Sequence, residues 1–209
     1  QGRVPGNFAD VAHKNGVAVS SVAGIPYGGL YGNGWQEAMQ AVVDAGAEKG
    51  AKFLHYYGLD GLGYNSEFSG GAYIVKQLIT YHQELLEKSL PLNPLFENLW
   101  YDGTNDNGYI SFDQGLGDHN NDIAKGASLF FNYNWNKSML LQNSVNYAKN
   151  NGYNPLNIYA GVNMQGAEPG SNSWPLLRNY PISIGLWGAH TRNMFWESRG
   201  EKGSAPEVK

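Results

Sequence analysis

An α/β fold on a parallel sheet is predicted by two features of the sequence. Short apolar runs alternate with amphipathic stretches of ten to eighteen residues, and Gly-rich segments follow the ends of several of those runs. Val17–Ile25 is the first strand candidate, followed by Gly-Gly-Leu-Tyr-Gly-Asn-Gly. Trp35–Lys49 reads as a helix because Met39, Val42 and Val43 lie on one stripe, with Gly50 at the C-terminal cap position. Gly61–Phe68 is the second strand, closing in Phe-Ser-Gly-Gly. In Ala72–Lys88, Ile74, Leu78, Tyr81 and Leu85 keep the spacing of a buried helical face until Pro91 ends it. Asn98–Asp102 is the third strand and runs into Gly-Thr-Asn-Asp-Asn-Gly. A helix at Asp118–Gly126, a strand at Ser128–Trp135, a helix at Lys137–Asn150 and strands at Asn157–Met164 and Ile182–Trp187 complete the series.

Loops after the C-terminal ends of parallel strands form the active face of a TIM-type (β/α) barrel, which is the architecture expected here. Six strands fall short of eight, and 209 residues fall short of the ~250 of a complete barrel, so the barrel is expected to be incomplete at the chain ends. Residues 1–199 read as one barrel domain lacking its first strand, and residues 200–209 as a polar tail.

Composition narrows the function. Only 15% of residues are charged, while 28 glycines, 14 tyrosines and 6 tryptophans argue against disorder and coiled coil. The longest apolar runs are strand length, too short to span a bilayer. No charged-then-apolar leader opens the chain, so the protein is expected to be cytoplasmic, or to be secreted, periplasmic or at the cell surface with its leader removed. A net charge of −4 without Lys/Arg clusters excludes the footprint of a nucleic-acid binder. The chain has no cysteine for thiol catalysis, its five histidines lack HxH or HExxH spacing, and there is no GxxxxGK loop. No metal or other cofactor is expected; oligomeric state is left open.

Leu59–Phe68 is the segment that carries chemistry. Side chains two apart share a face of a strand, so Gly61, Gly63, Asn65 and Glu67 point into the lumen while Leu62, Tyr64 and Ser66 point away. Two glycines followed by a carboxamide and a carboxyl leave room for a ligand. A solvated Asn and Glu at a strand mouth is the alternative reading.

The frame Asp60-Gly61-Leu62-Gly63-Tyr64-Asn65-Ser66-Glu67 resembles the DGxDxDxE strand of family 18 chitinases, with Gly63 and Asn65 at the second and third Asp positions. An Asn there is the pattern of glycoside hydrolase family 85, the endo-β-N-acetylglucosaminidases. Further segments resemble that family in its own order. They are Asp10–Val17 (AHxNGV), Leu99-Trp100-Tyr101-Asp102 (WYDS), Gly108–Gln114 (G-x-I-x-W-Q-N), Phe130–Trp135 (FLNYxW) and Ile158–Val162 (VYxGID). Phe112 stands where the family usually has Trp, and Val162–Gly166 replaces IDVFGRG.

The resemblance implies cleavage of the β-1,4 bond between the two core GlcNAc residues of an N-linked glycan, on a glycan or glycoprotein substrate, with retention of configuration. The substrate's 2-acetamido oxygen would be the nucleophile, Asn65 would hold the acetamido group, and Glu67 would serve as acid and then base. Tyr101 is implied as a third site residue, its hydroxyl reaching the acetamido group or Glu67. Asn132 and Trp135 are substrate-binding candidates, with Asn132 and Asn134 alternating with Tyr133 and Trp135 so that one pair faces inward; Trp135 is open between sugar platform and packing. Phe112 is open between acceptor stacking and loop anchoring, and Trp187 and His190 are candidates for the mouth. His13 reads as a structural hydrogen-bonder, and Glu97 and Glu168 as surface acids. A non-catalytic glycan-binding protein on a degenerate barrel is the competing function, and Gly63 with Asn65 counts against a family 18 chitinase.

Overall fold

The computed structural model describes residues 4–25, 34–113, 115–136, 139–163 and 174–188. Strands β1 (Ser20–Ile25), β2 (Gly61–Ser66), β3 (Glu97–Tyr101), β4 (Ser128–Phe130), β5 (Ile158–Asn163) and β6 (Ser183–Trp187) pair in sequence order, every pair parallel. Helices α1 (Gly6–Lys14), α2 (Gly34–Ala45), α3 (Ala47–Tyr56), α4 (Gly71–Ser89), α5 (Asn121–Ala124), α6 (Leu140–Asn150) and α7 (Trp174–Leu177) accompany them. Among the described residues no helix is long and apolar enough to cross a membrane.

All six strands lie within the expected segments or one residue from them, and the differences have local causes. Val17–Val19 stay outside β1, and the Val19 N–H is taken by the Asp60 carboxylate at 2.7 Å. The strand expected at Ser128–Trp135 stops at Phe130, because residues 133–136 turn away and the Trp135 indole N–H donates to the Gly161 carbonyl at 2.7 Å. The helix expected at Trp35–Lys49 is two helices. Gly46 takes φ +85°, a conformation that breaks the first, and Gly50 lies inside α3 against the Tyr81 hydroxyl rather than capping anything. Val42, expected on the buried stripe, is 41% exposed. The helix at Asp118–Gly126 is reduced to a 3₁₀ turn, Asp118–Asn120, and the four-residue α5. Helix α1 was not expected. Residues 189–209, including His190 and the polar tail, lie outside the described residues, as do Glu168 and most of Val162–Gly166.

The sheet curls. Strands β3 and β6 are three places apart, ~14 Å on a flat sheet at about 4.8 Å per step. Yet the rings of Tyr101 on β3 and Trp187 on β6 stack with centroids 5.9 Å apart and planes at 22°. Such contact between inward side chains needs a concave wall. Phe130 of β4 lies across the same hollow, over Gly161 and Gly185, where a Cβ on either glycine would run into its ring. Gly185→Ala is therefore expected to destabilise the fold by about 1–3 kcal/mol, the cost of overpacking, read as a lowered denaturant midpoint.

The main core lies on the other face, between sheet and helices. Tyr64, Trp100, Leu129, Phe131, Ile158, Ala160 and Val162 alternate with the lumen residues and meet Val75, Leu78 and Ile79 of α4 and Leu141 and Ala148 of α6. Fully burying one such aliphatic side chain stabilises by about 1.5–3 kcal/mol. At the N-terminal ends of the strands Asp60 ties the elements together, accepting from the Val19 N–H, from Asn93 at 2.8 Å and from His13 of α1 at 2.7 Å. Burial alone would raise the Asp60 pKa, but these donors outweigh it and leave the carboxyl below its usual range.

His82 of α4 is buried in this core, its ring 3.9 Å from that of Tyr64 and 5.2 Å from that of Trp100, with no hydrogen-bond partner on either nitrogen. Burial depresses its pKa from the ordinary 6.5 to about 3. Between those values the unfolded chain binds a proton the folded one refuses, so stability is full above the ordinary value and falls as pH drops toward the depressed one. His82→Leu is expected to reduce the loss of stability between about pH 7 and about pH 4.5, measured as denaturant midpoints against wild type.

Candidate active site

The site is assembled at the C-terminal ends of β2, β3, β4 and β6. On β2, Tyr64 packs into the helix-side core, so the pleat turns Asn65 to the concave face. Its Oδ1 is buried and has no hydrogen-bond partner. Glu67 follows directly after the strand, half-buried, and desolvation raises its pKa above the ordinary carboxylate value.

On β3 the same alternation sends Trp100 into the core and Tyr101 into the hollow. The Tyr101 hydroxyl accepts from Asn132 Nδ2 at 2.9 Å and is also hydrogen-bonded to Tyr133. Asn132 is held for this task, because its Oδ1 accepts the Tyr133 backbone N–H at 2.5 Å and so turns its amide nitrogen toward Tyr101. A phenol has one proton and two acceptor positions. Asn132 thus occupies one of those acceptor positions on the Tyr101 oxygen. Burial first, and then the Glu67 charge, raise the Tyr101 pKa against the lowering effect of those hydrogen bonds. Tyr133 is pushed far above its ordinary value by burial, by Tyr101 and by Glu67. Glu67, Tyr101 and Tyr133 thus share one electrostatic environment.

Aromatic rings line the wall around Tyr101. Phe112 meets it edge-on at 6.1 Å, Phe130 lies 6.2 Å away, Tyr133 6.4 Å away, and Trp187 is stacked on it. Phe112 has φ +46°, an uncommon backbone state for a residue with a side chain. The loop carrying it is stitched to the loop after Glu67. The Ile110 N–H donates to Ser69 Oγ at 3.2 Å, and the N–H groups of Gly70 and Gly71 donate to the Gly108 carbonyl at 3.0 and 3.1 Å.

The structure therefore brings Glu67, Tyr101, Asn132, Phe112 and Trp187 together, with Asn65 on the adjoining strand face. Trp135 is corrected: it is 2% exposed, its indole tied to Gly161, and offers no face to a sugar. The inward pair expected by alternation is also corrected, since the chain leaves the sheet after Phe130 and both Asn132 and Tyr133 reach Tyr101. Sequence reasoning missed Tyr133 and Phe130 as wall residues; the signal for Phe130 was its place opposite Tyr101 on the next strand. Glu97, expected at the surface, faces the hollow nearer the N-terminal ends. Ser128 Oγ donates to it at 2.5 Å and the Tyr159 hydroxyl at 3.1 Å, and burial together with Glu97 pushes Tyr159 up to about 12.

A search of curated proteins finds no match to the chain. Among solved structures it is similar to the glycoside hydrolase domain of Endo-D from Streptococcus pneumoniae R6, at 23% identity and a TM-score of 0.70, covering 86% of this chain and 31% of that one. It is also similar to a GH18 chitinase from Pseudoalteromonas aurantia, at 16% identity and a TM-score of 0.57, covering 94% of this chain and 81% of that one. The chain thus spans about a third of the length of the Endo-D domain structure, and both likenesses show the (β/α) barrel type of fold. The profile of glycosyl hydrolase family 85 matches residues 4–203, nearly the whole chain, and so the protein belongs to that family.

Proposed function

We propose that the protein is an endo-β-N-acetylglucosaminidase that cleaves the β-1,4 bond between the two core GlcNAc residues of N-linked glycans, with the substrate's own acetamido group as nucleophile. One observation carries the reading: a buried carboxamide oxygen without a partner, on Asn65, stands on the strand that ends in a half-buried acid of raised pKa, Glu67. A buried acceptor left open costs stability unless a ligand uses it. An acetamido N–H is a donor of the right kind.

In this mechanism Asn65 accepts the acetamido N–H and turns the acetamido oxygen toward the anomeric carbon. That oxygen forms a bond to the carbon as the glycosidic C–O bond breaks, and Glu67 delivers its proton to the departing GlcNAc oxygen. An oxazolinium results. Glu67, now a carboxylate, takes a proton from water as the water oxygen attacks the anomeric carbon and reopens the ring. Two inversions at one carbon give net retention, within the substrate-assisted exception to the two-carboxylate rule. The raised pKa of Glu67 suits both halves of this cycle. Tyr101 hydrogen-bonds the acetamido group or Glu67, and the amide of Asn132 positions its hydroxyl. Phe112 and Trp187 supply apolar surface for pyranose faces. Proton NMR of the product in the first turnovers is expected to give the β-anomer; an α-anomer would refute the substrate-assisted route.

A further inference from the structure

We propose that Thr104 is a positioning residue for Glu67, its hydroxyl stapling the backbone on both sides of the acid to the loop that follows β3; this rests on the reading of Glu67 as the acid given above. Thr104 is 1% exposed. Its Oγ1 accepts the Phe68 N–H at 3.0 Å, lies 2.7 Å from the Phe68 carbonyl oxygen and is 3.1 Å from that of Ser66. Residues 66 and 68 flank Glu67, so one side chain holds the peptide units before and after the acid. The other end of the staple is fixed too. The Thr104 carbonyl accepts the indole N–H of the fully buried Trp100 at 3.0 Å, and Thr104 pairs in an antiparallel bridge with Ile110. Ser66 Oγ in turn donates to the Tyr101 carbonyl at 2.5 Å, so the acid and Tyr101 share one frame.

Its neighbour makes the close approach possible. A Cβ on Gly103 would strike the Ser66 carbonyl and lie 3.4 Å from Glu67 Cγ, so the loop after β3 presses directly on the strand end that bears the acid. Nothing in the reaction itself calls on the Thr104 hydroxyl, which is enclosed beneath the loop. Its contribution is the aim and the desolvation of Glu67. A displacement of about 1 Å in a reacting group costs as much as ~100-fold in rate.

Thr104→Val keeps the side-chain shape and removes all three contacts, while Thr104→Ser keeps the hydroxyl. On a glycopeptide, Thr104→Val should lower kcat by about 10- to 100-fold with KM within about twofold. It should also move the alkaline limb of the pH–rate profile to lower pH as water reaches Glu67. Thr104→Ser should recover most of the rate. A Thr104→Val protein with wild-type kcat and pH profile overturns the proposal. So does a Thr104→Ser protein as impaired as Thr104→Val, or a rate loss equal to the unfolded fraction by circular dichroism. Should Thr104→Val fail to fold, wild-type amide exchange decides: a slowly exchanging Phe68 amide supports the staple, and one as fast as an exposed loop overturns it. Should the wild type release no glycan at all, the endoglycosidase reading fails separately. The staple is then judged by ¹³C NMR titration of Glu67, whose pKa should be lower in Thr104→Val than in wild type and would be unchanged if the proposal is wrong.

Discussion

Glu67→Gln is expected to reduce glycan hydrolysis by about two to four orders of magnitude, the usual worth of a positioned proton donor and acceptor. The amide is nearly the same size but can neither give the leaving oxygen a proton nor take one from water. Folding will not account for the loss. Burial raises the Glu67 pKa, so the ionised form is disfavoured in the native state. The stability linked to this group is complete below the ordinary carboxylate pKa and declines as pH rises through the raised folded value. A neutral Gln escapes that decline, and Glu67→Gln should be at least as stable as wild type near neutral pH while inactive. Thermal unfolding beside initial rates checks both halves of the expectation.

Asn65→Ala is expected to suppress hydrolysis of a glycan comparably, for a different reason. Without the carboxamide the acetamido oxygen is no longer held for attack, although Glu67 is intact. A preformed sugar oxazoline bypasses that step. The Asn65 variant should still transfer sugar from an oxazoline to a GlcNAc acceptor, whereas Glu67→Gln should not, because nothing remains to deprotonate the acceptor hydroxyl. Equal loss of transfer in both variants, or normal hydrolysis by Asn65→Ala, would contradict the division of roles and favour a glycan-binding protein without catalysis.

The strands were legible because each is a short apolar run closed by turn residues, and their order followed from the helices between them. For the candidate site, alternation along the second strand put Asn65 and Glu67 on one face, and the likeness of Leu99–Asp102 to the WYDS strand pointed to Tyr101; Tyr64 and Trp100, on the alternate face, pack into the core. What alternation cannot convey is where a strand stops. After Phe130 the chain turns, Trp135 goes under the sheet and Tyr133 joins Asn132 on Tyr101, all determined by hydrogen bonds to β5 and β3 that are distant in sequence. The division of Trp35–Lys49 at Gly46 was hidden likewise, because a glycine within an amphipathic stretch reads equally as a tolerated helical residue. Glu97 looked like a surface acid because its partners, Ser128 and Tyr159, lie on the next two strands. Residues far apart in the chain decide these points, and a single sequence does not pair them.

Mass spectrometry of an N-glycosylated protein after incubation with this protein tests the central claim most directly. The account predicts that the glycosylated asparagine retains a single GlcNAc and that the released glycan carries the other core GlcNAc at its reducing end. An asparagine left with its complete glycan, one converted to aspartate by loss of the whole glycan, or one trimmed only from the outer ends would contradict it.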